Sequence, residues 1–112
     1  RAMAAQLGPA DALIELGAGT GAVTEALHAA APGVPLLAVE LQEDLATSLQ
    51  RRLPAVEVAC APAHEVLAAR RDGAPAATVL VSSLPFRSLP EGLRRCTQAA
   101  LIDFVAGHPA RR

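Results

Sequence analysis

The segment Ala12 to Gly21 constrains this chain more than any other. Ala12-Leu13-Ile14-Glu15-Leu16 is apolar except for one carboxylate, and it runs straight into Gly17-Ala18-Gly19-Thr20-Gly21. A short apolar run without period-two alternation reads as a strand covered on both faces. Glycines at alternate positions after it permit a tight bend and let another group approach the backbone with no Cβ in the way. Val23 to Ala31 then has helical spacing, with Val23, Leu27 and Ala30 on one face, and Pro32-Gly33 stops it. Strand, glycine bend and helix in that order form the opening unit of a parallel α/β sheet.

The same alternation continues. Pro35-Leu36-Leu37-Ala38-Val39-Glu40 is a second apolar run, and Asp44 to Leu53 is a helix carrying Leu45, Leu49 and Leu53 on one stripe. Val56-Glu57-Val58 makes a short third strand, and Ala63 to Arg71 a third helix closed by Asp72-Gly73. Thr78-Val79-Leu80-Val81-Ser82 is a fourth strand, and a long helix runs from Glu91 to Val105 with Leu93, Leu101 and Phe104 as core candidates. Right-handed crossovers between such strands predict the order 3-2-1-4. The whole of 1–112 is then one partial domain, its fourth strand an open edge that further strands or a second copy of the chain would cover. The residues Arg1-Ala2-Met3-Ala4-Ala5-Gln6 are expected to be the tail of an earlier helix, since the chain starts on Arg and not Met.

Composition removes several function classes. The chain has 112 residues, 52% of them hydrophobic, which suffices for a core. It carries 2 Phe and neither Trp nor Tyr, so it lacks the rings on which single-stranded nucleic acid is usually stacked. All 10 cations are Arg, and with 11 carboxylates the net charge is −1, so no global field draws the chain to a polyanion. The pairs Arg51-Arg52, Arg70-Arg71, Arg94-Arg95 and Arg111-Arg112 read first as solvated helix ends, and only second as phosphate contacts. Cys60 and Cys96 have no partner at disulfide or metal spacing, and neither do His28, His64 and His108, so no metal site is expected. No stretch reads as a signal peptide or membrane span, which places the expected setting in the cytoplasm, at most peripheral to a membrane.

The chemistry is concentrated at the first bend. Amides there, backed by a helix N-terminus, suit a carboxylate or phosphate. Glu40 ends the second strand 19 positions after Gly21, where a carboxylate can accept from both ribose hydroxyls of an adenosine-containing cofactor. Gly17-x-Gly19-x-x-Ala22 also fits the dinucleotide pattern. Glu15, two positions before the first glycine, argues against a pyrophosphate and for a ligand bearing an ammonium, such as S-adenosylmethionine. Ser82 and Ser83 lie outside any Gly-x-Ser-x-Gly, so a hydrolase is not expected.

Ile14-Glu15-Leu16-Gly17-Ala18-Gly19-Thr20-Gly21 followed by Leu37-Ala38-Val39-Glu40 resembles motif I and the acidic strand end of class I S-adenosylmethionine-dependent methyltransferases. Val81-Ser82-Ser83-Leu84-Pro85-Phe86-Arg87-Ser88-Leu89-Pro90 is similar to the segment after the fourth strand in bacterial phospholipid N-methyltransferases, relatives of the ribosomal RNA adenine dimethyltransferases. The resemblance implies a Rossmann-like sheet truncated to about four of seven strands. It also implies a cofactor seat built from Glu15, Gly17, Ala18, Gly19, Thr20, Gly21, Glu40, Leu41, Ala63 and Ser82. Ser83, Leu84, Pro85 and Phe86 are then the acceptor wall, with Ser83 where the RNA enzymes carry Asn and Phe86 where they carry Tyr. Many relatives place an Asp on the adenine amino group at the position of Pro62, and His64 beside it becomes a candidate neighbour of the base.

Three functions follow as expectations. The first is methylation of an ethanolamine head group on a phospholipid or membrane surface. The second is N6-methylation of RNA adenine, with RNA the less favoured partner. The third is a cofactor-binding fragment without activity of its own.

Overall fold

The structure, a computed structural model, describes residues 10–112. The expectation of a helix tail at Arg1 to Gln6 lies outside the described residues. Four parallel strands, β1 (Ala12–Leu16), β2 (Leu36–Val39), β3 (Glu57–Ala59) and β4 (Thr78–Ser82), form one sheet in the order β3-β2-β1-β4. The crossovers are α1 (Ala22–Ala30), α2 (Glu43–Arg52) and α3 (Ala63–Arg70), and α4 (Glu91–Ala106) follows β4. Both the α/β class and the strand order agree with the reading of the sequence.

Side-chain alternation along the strands divides the core in two. Leu13, Leu36, Ala38, Val79 and Val81 pack with Leu27 of α1 and Leu49 of α2 on one face. Ile14, Leu16, Leu37 and Val39 pack with Val66 and Leu67 of α3 and Phe104 of α4 on the other. This three-layer arrangement explains why β1 is buried at every residue and carries no alternation. The helix faces differ in detail from the sequence reading. In α1 the buried residues are Thr24 and Leu27, while Ala30 is exposed, because the carboxylate of Glu15 draws Thr24 inward.

The outer edge of β4 is partly covered. The Arg112 amide donates to Thr78 O (3.2 Å) and the Leu80 amide to Arg112 O (2.7 Å), a parallel pairing beyond β4. Arg111 anchors it, with its guanidinium donating to Phe104 O and Ala74 O (3.0 Å each) and lying 4.4 Å from the centre of the Phe104 ring. Arg111 is only 6% exposed, so the solvated-end reading fails for it: two carbonyls and an aromatic face replace its water. The edge expected to be open is thus occupied at Thr78 and Leu80. Among the described residues, no helix is long and apolar enough to cross a membrane.

Candidate functional site

The sheet's strands all point their C-terminal ends at one edge, where β1 is followed by the glycine bend, β2 by Glu40, β3 by Cys60–Ala63 and β4 by Ser83–Pro85. The chain reverses its direction of winding between β1 and β4, and ligands of open parallel sheets sit at such a switch point. A cavity of about 350 Å³ opens there. It is lined by Gly17, Gly19, Val39, Glu40, Leu41, Gln42, Leu45, Ala61, Pro62, Ala63, Ser83, Leu84, Pro85, Leu89, Leu93 and Thr97. That volume lies in the range of small-molecule sites.

The bend is fixed by its three glycines, all at positive φ: Gly17 at 78°, Gly19 at 57° and Gly21 at 91°. Side chains rarely adopt this region. A Cβ on Gly17 would meet Leu84 Cδ2 at 2.8 Å, and one on Gly21 would meet Leu49 Cδ1 at 2.5 Å. A Cβ on Gly19 would meet nothing within 4 Å, so this residue presents bare backbone to open space beside the cavity.

The amides of the bend correct one expectation from the sequence. Gly17 N and Ala18 N both donate to Val39 O (2.9 and 3.1 Å), and Gly21 N donates to Ala18 O (2.9 Å). Gly19 N donates to Glu40 Oε1 at 2.7 Å. These four amides donate within the protein and have no proton left for an anion. A pyrophosphate would have to displace Glu40 and bring its charge beside a carboxylate.

Two carboxylates flank the bend instead. Glu40, 7% exposed, also accepts from Gln42 N through Oε2 (2.8 Å), which aims both oxygens at the mouth of the bend and leaves each with a further lone pair. Glu15, fully buried, lies on the α1 side of the sheet, where the Thr24 hydroxyl donates to Oε1 and Oε2 has no hydrogen-bond partner. Burial pushes the Glu15 carboxyl above the usual carboxylate range, and the hydroxyls of Thr24 and Ser83 offset part of that rise. Hydroxyls and a cation suit this end of the cavity better than an anion does.

The far end is apolar. Leu41, 56% exposed, stands on the rim as an uncovered large hydrophobic side chain. Leu45, Ala61, Pro62, Ala63, Leu89 and Leu93 continue the wall, and buried Thr97 donates its hydroxyl to Leu93 O at 2.8 Å.

Of the residues expected to bind a cofactor, Gly17, Gly19, Glu40, Leu41 and Ala63 line the cavity. The structure does not bring the other five into it. Glu15 lies beneath the bend and Ala18 packs into the α1/α2 core. Thr20 is exposed, with its carbonyl accepting from Arg52, and Gly21 seats α1 against Leu49. Ser82 accepts from Leu84 N through its hydroxyl (3.3 Å). Of the acceptor wall, Ser83, Leu84 and Pro85 line the cavity and Phe86 does not. Phe86 N donates to Leu84 O at 2.9 Å around Pro85 (φ −78°, ψ 73°), and this inverse γ-turn diverts the chain. His64 is also outside the lining, with Nε2 3.9 Å from Glu65 Oε2. Sequence reasoning missed Gln42, Leu89 and Thr97, and it took Leu45 and Leu93 for core. For Leu45, Leu93 and Thr97 the only signal was helical spacing, which does not separate a core wall from a cavity wall; Gln42 and Leu89 lie just outside helices.

No family model matches the chain. Ribosomal RNA small subunit methyltransferase A of Synechococcus elongatus is 44% identical over 64 residues, which is 57% of this chain and 22% of that protein. The protein of the same name from Thermotoga maritima is 38% identical over 86 residues, 74% of this chain and 28% of that protein. The chain thus spans less than a third of the length of these relatives. The crystal structure of the 23S rRNA methyltransferase ErmE superposes with a TM-score of 0.62 at 23% identity, over 98% of this chain and 41% of that one. That likeness establishes the fold. All three names refer to ribosomal RNA, and none to a phospholipid.

Proposed function

We propose that this chain is the cofactor-binding part of an S-adenosylmethionine-dependent methyltransferase whose acceptor is an adenine amino group of ribosomal RNA. The observation that carries the reading is the Glu40 carboxylate held at the mouth of the glycine bend, 2.7 Å from the Gly19 amide, beside a cavity with one polar and one apolar end. The names of the relatives support the acceptor. They reverse the ranking given by the sequence, in which a phospholipid head group came first and RNA was less favoured. No feature of the cavity favours the phospholipid, and the net charge of −1 is no obstacle to a local RNA contact.

The residues divide the work by chemistry. The cofactor, when bound, supplies a methyl group carried on a sulfonium. Glu40 accepts from ribose hydroxyls. Gly17 and Gly19 let the amino-acid end lie against bare backbone, with the Glu15 carboxyl beneath the bend on the side of its ammonium. Leu41 and Ala63 enclose the base. Ser83, Leu84 and Pro85 form the wall along which an acceptor nitrogen approaches, so that the protein contributes alignment and exclusion of water more than proton transfer. A cytoplasmic setting goes with this acceptor.

Calorimetry with S-adenosylhomocysteine and with NAD tests the cofactor. Binding of the first and not the second is expected, and NAD binding alone overturns the reading. Radiolabelled methyl transfer to ribosomal RNA and to phosphatidylethanolamine vesicles then tests the acceptor. Label in lipid but not in RNA refutes the RNA acceptor, and cofactor binding with label in neither assigns the chain a binding role only.

A further inference from the structure

Resting on the RNA acceptor read above, we propose that the acceptor strand enters over one rim of the cavity only. Arg87 and Arg94 take its phosphates there, and the strand stays clear of the opposite, acidic rim. The two rims are carried by β2 and β4, which flank β1 on opposite sides. On the β2 side, Glu40 is followed by exposed Glu43 and Asp44, which stand between Gln42 and Leu45 of the cavity lining, and that stretch holds no cation. On the β4 side, the short 3-10 turn Phe86–Ser88 and the first turns of α4 carry Arg87, Arg94 and Arg95 against the single carboxylate of Glu91.

Pairing sharpens this contrast. Arg95 gives its guanidinium to Glu91 Oε1 at 2.7 Å, four positions back on the same helix. Arg52, Arg70, Arg71 and Arg111 are likewise held, by Glu25, Glu57, Asp103 and two backbone carbonyls. Among the described residues, Arg87 and Arg94 enter no ion pair or side-chain hydrogen bond. Arg87 is exposed two positions after Pro85 of the acceptor wall. Arg94 is half-buried beside Leu93 of the lining and shares a helix face with Thr97, three positions on. Arg51 is also without a partner, but it lies on α2 in a hollow shared with Glu43 and Asp44, outside the cavity lining.

A net charge of −1 gives a polyanion no overall pull, and physiological salt screens exposed charges beyond about 8 Å. The local layout therefore decides where RNA lies. Without Trp or Tyr to stack on, phosphate contacts are the chemistry left to hold it. A bilayer fits this rim poorly, because no exposed large apolar side chain stands on it. Leu41 is across the cavity, and Ile102 and Val105 lie about two turns or more beyond Arg94 along α4.

The test is fluorescence anisotropy of the full chain with a labelled RNA stem-loop carrying unpaired adenines, titrated at several salt concentrations. Arg87→Gln and Arg94→Gln should each bind about fivefold more weakly near about 0.1 M salt. Each should also lower the slope of log affinity against log salt by about 0.7 to 1. Arg51→Gln should stay within about twofold of wild type with its slope unchanged. Thermal melts check that each variant is folded. A loss in Arg51→Gln equal to that in Arg87→Gln overturns the inference, since the attraction would then be diffuse. Arg87 and Arg94 variants that bind like wild type overturn it too, and the RNA acceptor survives both results. Binding of wild type to vesicles of phosphatidylglycerol and phosphatidylcholine but not to RNA overturns it in favour of a membrane surface. A wild type that binds neither RNA nor vesicles sinks the RNA reading and this inference together.

Discussion

The two ends of the cavity are built by different means. At the bend, three glycines, two carboxylates and a set of spent amides fix every atom through the backbone of β1, β2 and the turn between them. At the other end, mostly apolar side chains from α2, the start of α3 and α4 meet, with Thr97 the polar one among them and its hydroxyl given to Leu93 O. The difference teaches that the polar end is rigid by covalent and hydrogen-bond geometry, while the apolar end is held only by packing. Substitutions should therefore cost stability and affinity steeply at the first and shallowly at the second.

The largest effect is expected at Gly21. Gly21→Ala combines a φ of 91° with a Cβ 2.5 Å from Leu49 Cδ1, and should cost about 3 kcal/mol in urea unfolding. Gly19→Ala, at positive φ but in open space, should cost only about 1 kcal/mol. Equal costs would mean that strain at the bend, and not packing against α2, sets its rigidity. Glu40→Ala comes next. Losing the carboxylate should weaken S-adenosylhomocysteine binding by about 2 kcal/mol, roughly thirtyfold, in calorimetry. Unchanged affinity would break the comparison, since the polar end would then carry no ligand.

Leu41→Ala probes the apolar end. The side chain is exposed on the rim, so its loss should leave the melting temperature unchanged and weaken the same ligand by about 1 kcal/mol, near fivefold. A loss as large as that of Glu40→Ala would erase the contrast between the two ends. The smallest effect concerns Glu15. Its raised folded value means that, above the ordinary carboxylate value of 4.5, the unfolded chain has released its proton while the folded chain still holds it. Stability from this group is thus full at low pH and falls as pH rises through the window between the two values. Glu15→Gln keeps the shape and should flatten that slope in urea melts taken across it. A slope unchanged by the substitution would place the titration elsewhere.

The same contrast decides what was legible in the sequence. The β1 and β4 boundaries, the strand order, the glycine bend and Glu40 at its mouth can all be read from local patterns, because each is a backbone requirement that only a few residue types meet. Gly17 and Gly21 are glycines for reasons of φ and space that no other residue satisfies. Thr97 and Leu93 escaped because they reach the cavity from a helix far along the chain, and helical spacing is indifferent to what a face covers. Phe86 escaped because the turn at Pro85 leaves no periodic trace. Arg111 misled because an Arg pair looks solvated, and nothing local reveals the two carbonyls and the Phe104 ring that receive it.

The bond from the Gly19 amide to Glu40 makes the molecule its own sensor. A proton donated to a carboxylate is deshielded, so the Gly19 resonance in a nitrogen-edited NMR spectrum should lie well downfield of other glycines. Any ribose that competes for the same oxygen should move that single peak upfield, reporting occupancy without a label on the ligand.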